Sequence, residues 1–125
     1  MPELTITEFT DPGCPFAWSA EPARRRLDWL YGAHLAWELR MVGLTESGAR
    51  YEERGYTPVR MAQGFPRFRT WAMPFGGQPR ERMTATARAC RTVIAARLAD
   101  PAQELPVFRA LQLAQFTSTA VLDTD

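Results

Sequence analysis

The feature that most limits what this chain can become is a period-two run, His34-Leu-Ala-Trp-Glu-Leu-Arg-Met-Val42, set behind a short β-branched run, Leu4-Thr-Ile-Thr-Glu-Phe9. In the later run Leu35, Trp37, Leu39 and Met41 alternate with Ala36, Glu38, Arg40 and Val42, the pattern of a strand with one face buried. Between the two lies a helical pattern from Cys14-Pro15 to Tyr31, with Gly32 where a C-terminal cap belongs. Strand, helix, strand is a βαβ unit, and a crossover helix of this kind joins parallel strands. Asp11-Pro12-Gly13 closes the first strand with turn chemistry. Pro15 falls in the first helical turn, where its missing N–H would have had no partner. Pro22 removes the partner of the Trp18 carbonyl, so a kink is expected there. Beyond it Leu27, Leu30 and Tyr31 form an apolar stripe, with Arg24, Arg25, Arg26 and Asp28 facing out.

The remaining residues read as helices. Thr57-Pro58 is an N-cap followed by proline, with Met61, Phe65 and Phe68 at helical spacing behind it, and Pro66 bends or splits that helix. Met73 to Pro79 is a loop. Arg82 to Ala99 is read as one helix, because Met83, Ala87, Cys90, Ile94 and Leu98 share a face. Asp100-Pro101-Ala102-Gln103 starts another with a cap and a capping-box partner, and Pro106 kinks or restarts it before Phe116. Only two strands are legible in 125 residues, where three or more are normally needed to stand alone. The chain therefore reads as a βαβ unit over 1–44 and a helical segment over 45–125 of an incomplete domain.

Composition removes most chemistry. All fifteen basic residues are Arg, so the phosphate-binding G-x-x-x-x-G-K-[ST] loop and every lysine mechanism are absent. One His and two Cys cannot supply a Cys/His zinc site. A net charge of +1 gives no field to draw in nucleic acid or an anionic membrane. The N-terminus lacks a basic region followed by an apolar stretch, and no window approaches a membrane span. The expectation is a soluble cytoplasmic protein with free thiols.

The chemistry that survives gathers in Asp11-Pro-Gly-Cys-Pro-Phe-Ala-Trp18. A cysteine at the junction of strand and helix sits beside unpaired N–H groups and the positive end of the helix dipole, and both favour thiolate over thiol. Asp11 either tunes that sulfur or makes the turn. Cys90 is a packed core cysteine unless its Cα lies within about 7 Å of that of Cys14. Spacing rules out a peroxiredoxin-type Thr-x-x-Cys, since position 11 is Asp, and a phosphatase-type Cys-x5-Arg, since position 20 is Ala. His34 opens the second strand as an ordinary polar residue. Phe65-Pro-Arg-Phe-Arg-Thr-Trp71 interleaves aromatic and basic residues, but at helical spacing Phe65 and Phe68 share one face and Arg67 another, so an amphipathic helix is the better account than a nucleic-acid track.

The run Asp11, Pro12, Cys14, Pro15, Phe16, with Trp18 following, resembles the turn of the thioredoxin-like DsbA family, particularly its FrnE-like and 2-hydroxychromene-2-carboxylate isomerase-like branches. The likeness continues through Trp37-Glu-Leu-Arg-Met-Val-Gly-Leu44 into the helical segment that this family inserts in the thioredoxin fold. It implies a helix-rich α/β domain whose C-terminal strands, with a cis-proline loop facing the cysteine, are missing here. It implies thiol–disulfide exchange on a protein or small-molecule disulfide, with Cys14 and Pro15 catalytic. Asp11, Phe16, Trp18, Phe65, Phe68 and Trp71 would meet substrate. The family pattern is Cys-Pro-x-Cys, and Ala17 stands at the resolving position. A low-molecular-weight thiol, glutathione or mycothiol, would then resolve the mixed disulfide, with no tightly bound cofactor and no metal. The alternatives are a thiol-dependent transferase or isomerase of the kappa-class or chromene-carboxylate type, which usually carries Ser at position 14, and a non-catalytic interaction module that uses an exposed sheet edge and apolar helix faces to dimerise or bind a partner.

Overall fold

A computed structural model describes residues 1–68 and 73–124. Strand β1 (Leu4–Thr10) pairs in parallel with β2 (Leu35–Met41), in register from Leu4 opposite Leu35 to Thr10 opposite Met41. The single helix α1 (Pro15–Tyr31) joins them, so the βαβ unit forms as its local patterns dictate. It runs unbroken through Pro22 and passes into a 3-10 turn, Gly32–His34. The described residues then give α2 (Ala49–Glu53), α3 (Pro58–Gly64), α4 (Ala87–Ala99) and α5 (Glu104–Thr117).

Local capping explains most boundaries. Thr57 Oγ1 accepts the Arg60 N–H at 3.2 Å and Pro58 opens α3. At Phe65 the helix tightens into a 3-10 turn, Phe65–Phe68, around Pro66. Asp100 Oδ1 accepts the Ala102 N–H at 3.0 Å and caps the 3-10 turn Pro101–Gln103, from which α5 continues. Pro106 lies in the first turn of α5, where it interrupts nothing.

Two hydrophobic clusters hold the molecule. The inward face of β2 presents Leu39 to Val93 of α4 and Phe108 of α5, with Met41, Leu105, Val107 and Leu111 around them. A second, aromatic cluster joins Trp18 of α1, Phe65 and Phe116 of α5, with Met61, Met73 and Phe75 against it. Phe108, Gln112 and Phe116, four residues apart on α5, are all buried, so one helix face spans both clusters. The other face of the sheet is open among the described residues, with Phe9 73% exposed.

Three further expectations are corrected. Helix α4 begins at Ala87 rather than Arg82. The N–H groups of Thr86 and Ala87 both donate to the Thr45 carbonyl, and Arg82 is held by Asp123, so residues 82–86 are drawn out of helical geometry by remote partners. Leu98, assigned to the buried stripe, is exposed. The faces of α1 are also partly reversed. Arg24 is only 8% exposed, its Nε 2.9 Å from Glu8 Oε2 and its guanidinium 4.4 Å above the Trp37 ring, whereas Leu27, Leu30 and Tyr31 are exposed. A charge drawn inward by a carboxylate on the sheet and an aromatic face outweighs the generic outward preference of Arg.

Candidate active site

The site is built on Asp11. Its backbone carbonyl accepts the Cys14 N–H at 3.0 Å, closing the turn between β1 and α1. Its side chain is fully buried and accepts four further donors. Oδ1 takes the Gly13 N–H at 2.7 Å, and Oδ2 takes the Leu44 N–H and the Thr86 hydroxyl, both at 2.8 Å, and the Cys90 thiol at 3.2 Å. One carboxylate thus ties the turn to the end of β2 and to the start of α4. Glycine is required at 13, because a Cβ there would lie 2.5 Å from Thr86 Cγ2. The sequence offered Asp11 as a tuning group, a turn-former or a substrate contact. It is fully buried beneath the turn and does not itself line the cavity described below, although its partners Gly13, Leu44 and Thr86 do.

Cys14 is the N-cap of α1, with extended backbone (φ −82°, ψ 114°), a half-buried free thiol and no side-chain capping bond. Gly13 and Pro15 on either side of it form part of the wall of a cavity of about 240 Å³. Tyr51 of α2, Met61 of α3, Phe65, Phe68 and Phe116 line it as well. Arg60, Arg80 and Arg82 also line it. Burial raises the Tyr51 phenol, and the charges of Asp11 and Cys14 raise it further, so it stays a protonated O–H donor.

The two thiols differ sharply. Cys90 is 5% exposed, and burial together with the Asp11 carboxylate pushes its thiol up from 9.0 to about 12. This is the packed core cysteine that its helical position implied, held neutral and donating to Asp11.

The aromatic residues divide. Phe65 and Phe68 line the cavity. Phe16 is exposed on the first turn of α1 and meets Phe68 edge-on, centroids 4.5 Å apart. Trp18 is corrected from substrate contact to core. It is buried, stacks on Phe116 and donates its indole N–H to the Pro74 carbonyl at 2.9 Å, which pins the 73–79 loop. Ser19 likewise donates to the Phe68 carbonyl and fixes the 3-10 turn over α1. Trp71 lies outside the described residues. Sequence reasoning missed Tyr51, Thr86, Arg60, Arg80 and Arg82, which carry no motif and come to the cavity wall only through tertiary packing. Among the described residues no cluster of His, Cys, Asp and Glu could hold a metal, and no helix is long and apolar enough to cross a membrane.

A parallel βαβ unit whose turn cysteine caps the crossover helix, packed against a helical segment, is the architecture of DsbA-like thioredoxin-fold proteins. Solved structures of that class superpose on this chain. One is a protein from Nitrosomonas europaea provisionally described as a disulfide isomerase (TM-score 0.74, 21% identity, covering 96% of this chain and 58% of that one). Another is the cytosolic disulfide reductase DsbM from Pseudomonas aeruginosa (TM-score 0.72, 20% identity, 97% and 58%). The same reductase with glutathione gives a TM-score of 0.67 at 21% identity, covering 97% and 59%. The chain thus spans less than three-fifths of the length of these neighbours. No family model matches the sequence, and no curated protein matches it.

Proposed function

We propose that this chain carries the nucleophilic half of a cytoplasmic thiol–disulfide oxidoreductase acting through Cys14 alone. The observation that carries the reading is the placement of Cys14: a free, half-buried thiol at the N-terminus of a 17-residue helix, flanked by two residues that wall a cavity. The names of the structural neighbours, a disulfide isomerase and a disulfide reductase, point the same way.

In this reading the Cys14 thiolate attacks one sulfur of a protein or small-molecule disulfide. The S–S bond breaks, the departing thiolate takes a proton from water, and a mixed disulfide remains on Cys14. Ala17 offers no internal resolver, and Cys90 is buried and held neutral by its bond to Asp11. A low-molecular-weight thiol, glutathione or mycothiol, therefore attacks as its thiolate and releases the second half of the substrate as a thiol. A second such thiol then frees Cys14 and leaves as the small disulfide. Two small thiols are oxidised for each substrate disulfide reduced.

A transferase or isomerase that activates a bound thiol without redox change is favoured by one feature, the cavity beside a site with no second cysteine at position 17. The two readings separate in one assay. With hydroxyethyl disulfide, a small thiol and a coupled reductase, exchange predicts steady NADPH consumption that Cys14→Ser abolishes, and a mixed disulfide on the Cys14 peptide by mass spectrometry. Reversible thiol binding with no covalent capture would instead select the transferase.

A further inference from the structure

The cavity beside Cys14 has an unbalanced charge. Three arginines line it, and among its lining residues there is no Asp or Glu. Two of the three are partly committed. Arg82 is held by both oxygens of Asp123 at 2.9 and 2.6 Å, and Arg60 gives one N–H to the Gly55 carbonyl at 2.6 Å. Arg80 is different. Its Nε donates to the Ala120 carbonyl at 2.8 Å and its Nη2 to the Gln115 carbonyl, so the partners described for it are neutral. It is partly buried, and that burial lowers its pKa, the sign of a cation whose desolvation nothing nearby offsets. A guanidinium in this position gains most from an incoming carboxylate, which it binds by charge-assisted hydrogen bonds.

The rest of the wall limits the ligand further. Phe65, Phe68 and Phe116 supply an apolar surface and Tyr51 an O–H donor, while Gly13 and Pro15, the chain neighbours of Cys14, form part of the same wall. At about 240 Å³ the space is slightly below the roughly 300–1,000 Å³ of ordinary small-molecule sites. It suits a small thiol better than a polypeptide loop.

We infer that Arg80, supported by Arg60, selects the resolving thiol by its free carboxylate, so that the co-substrate is an anionic thiol of the glutathione kind rather than an uncharged one of the mycothiol kind. This rests on the thiol-exchange reading of Cys14 and adds to it the charge that the co-substrate must carry.

The test compares glutathione with its diethyl ester, which keeps the thiol and loses both carboxylates, in the exchange assay on the whole chain. The wild-type protein should prefer the free acid by about tenfold or more in kcat/KM, the scale of one charge-assisted hydrogen bond in a partly buried site. That preference should weaken as salt is raised. Arg80→Gln should collapse the acid-to-ester ratio towards one, and Arg80→Lys should recover only part of it, because the planar fork is lost. Since Arg80 also holds the 115–120 segment, the wild-type comparison, which needs no variant, remains decisive if Arg80→Gln fails to fold. Exchange at equal rates with acid and ester, or an acid preference that survives in folded Arg80→Gln, overturns the assignment while leaving thiol exchange intact. No Cys14-dependent exchange with any thiol, 2-mercaptoethanol included, overturns both.

Discussion

The two hydrophobic clusters divide the labour of the molecule differently. The one under the sheet, Leu39, Val93 and Phe108, is built from strand and helix faces and contributes nothing to the wall of the cavity beside Cys14. The one under the Cys14 turn, Trp18, Phe65 and Phe116, shares Phe65, Phe116 and its neighbour Met61 with the cavity wall. The first holds the chain together. The second does that and also shapes the space beside the thiol, so a change in its packing is also a change in the site. Two links join them: the Phe108–Gln112–Phe116 face of α5, and Asp11, which bonds the turn to Thr86 and to Cys90 on α4.

The largest effect expected is the one that breaks this comparison or upholds it. Phe108→Ala and Phe116→Ala should each cost about 3–5 kcal/mol in denaturant unfolding, since both rings are almost wholly buried. Only Phe116→Ala should also alter kcat/KM for the small thiol, because it alone opens the cavity wall. Equal effects on exchange from both variants would show that the clusters are not separable.

A smaller loss is expected from cutting the polar link. Asp11→Ala removes the acceptor of the part-buried Gly13 and Leu44 N–H groups and of the buried Thr86 hydroxyl; an unpaired donor costs about 1–3 kcal/mol when buried, so Thr86 should carry most of the loss. Thermal unfolding measures the loss. Alkylation of Cys14, followed by peptide mass, should become less selective over Cys90 as the turn loosens and α4 loses its anchor.

The Cys90 thiol gives the same link a pH signature. Its folded value, about 12, lies above the 9.0 of a free thiol, so the folded state holds the proton more tightly than the unfolded one. The stability this contributes is complete below about pH 9 and is lost as pH rises towards 12. Melting temperatures across that range should fall more steeply for the wild-type protein than for Cys90→Ala. Parallel slopes would mean that Cys90 does not report on the link.

The smallest effect, and of opposite sign, belongs to Gln112. It is fully buried between the two phenylalanines of α5, and neither its amide nitrogen nor its oxygen has a partner among the described residues. Gln112→Leu replaces an unsatisfied amide by an apolar group of similar size and should stabilise by about 1 kcal/mol, read as a shifted denaturant midpoint.

Some of this was legible from short stretches of chain. The alternation of Leu35 to Met41, the turn at Asp11-Pro-Gly, the proline after Cys14 and the Thr57 cap each act within four residues of their own position. Their outcome, a βαβ unit with a cysteine at the helix N-terminus, followed directly. Where an element is set by remote partners the same reasoning stopped short. Residues 82–86 have the periodicity of a helix, yet Thr45 and Asp123 hold them out of it. The Arg24 side chain belongs to a run of three arginines that reads as a solvated face, yet Glu8 and Trp37 draw it inward.

What the sequence by itself determined is the candidate nucleophile and its scaffold: one thiol, placed by local hydrogen bonding and helix propensity at the end of a parallel strand, with no cysteine three residues on. What only the tertiary structure decided is the company that thiol keeps. Tyr51, Arg80 and Phe116 come to the cavity beside it, and Thr86 and Cys90 to the carboxylate beneath it, from positions 37 to 102 residues away. Burial and charge pairing act between surfaces that meet only once the helices have packed, and no spacing along the chain records which surfaces those are.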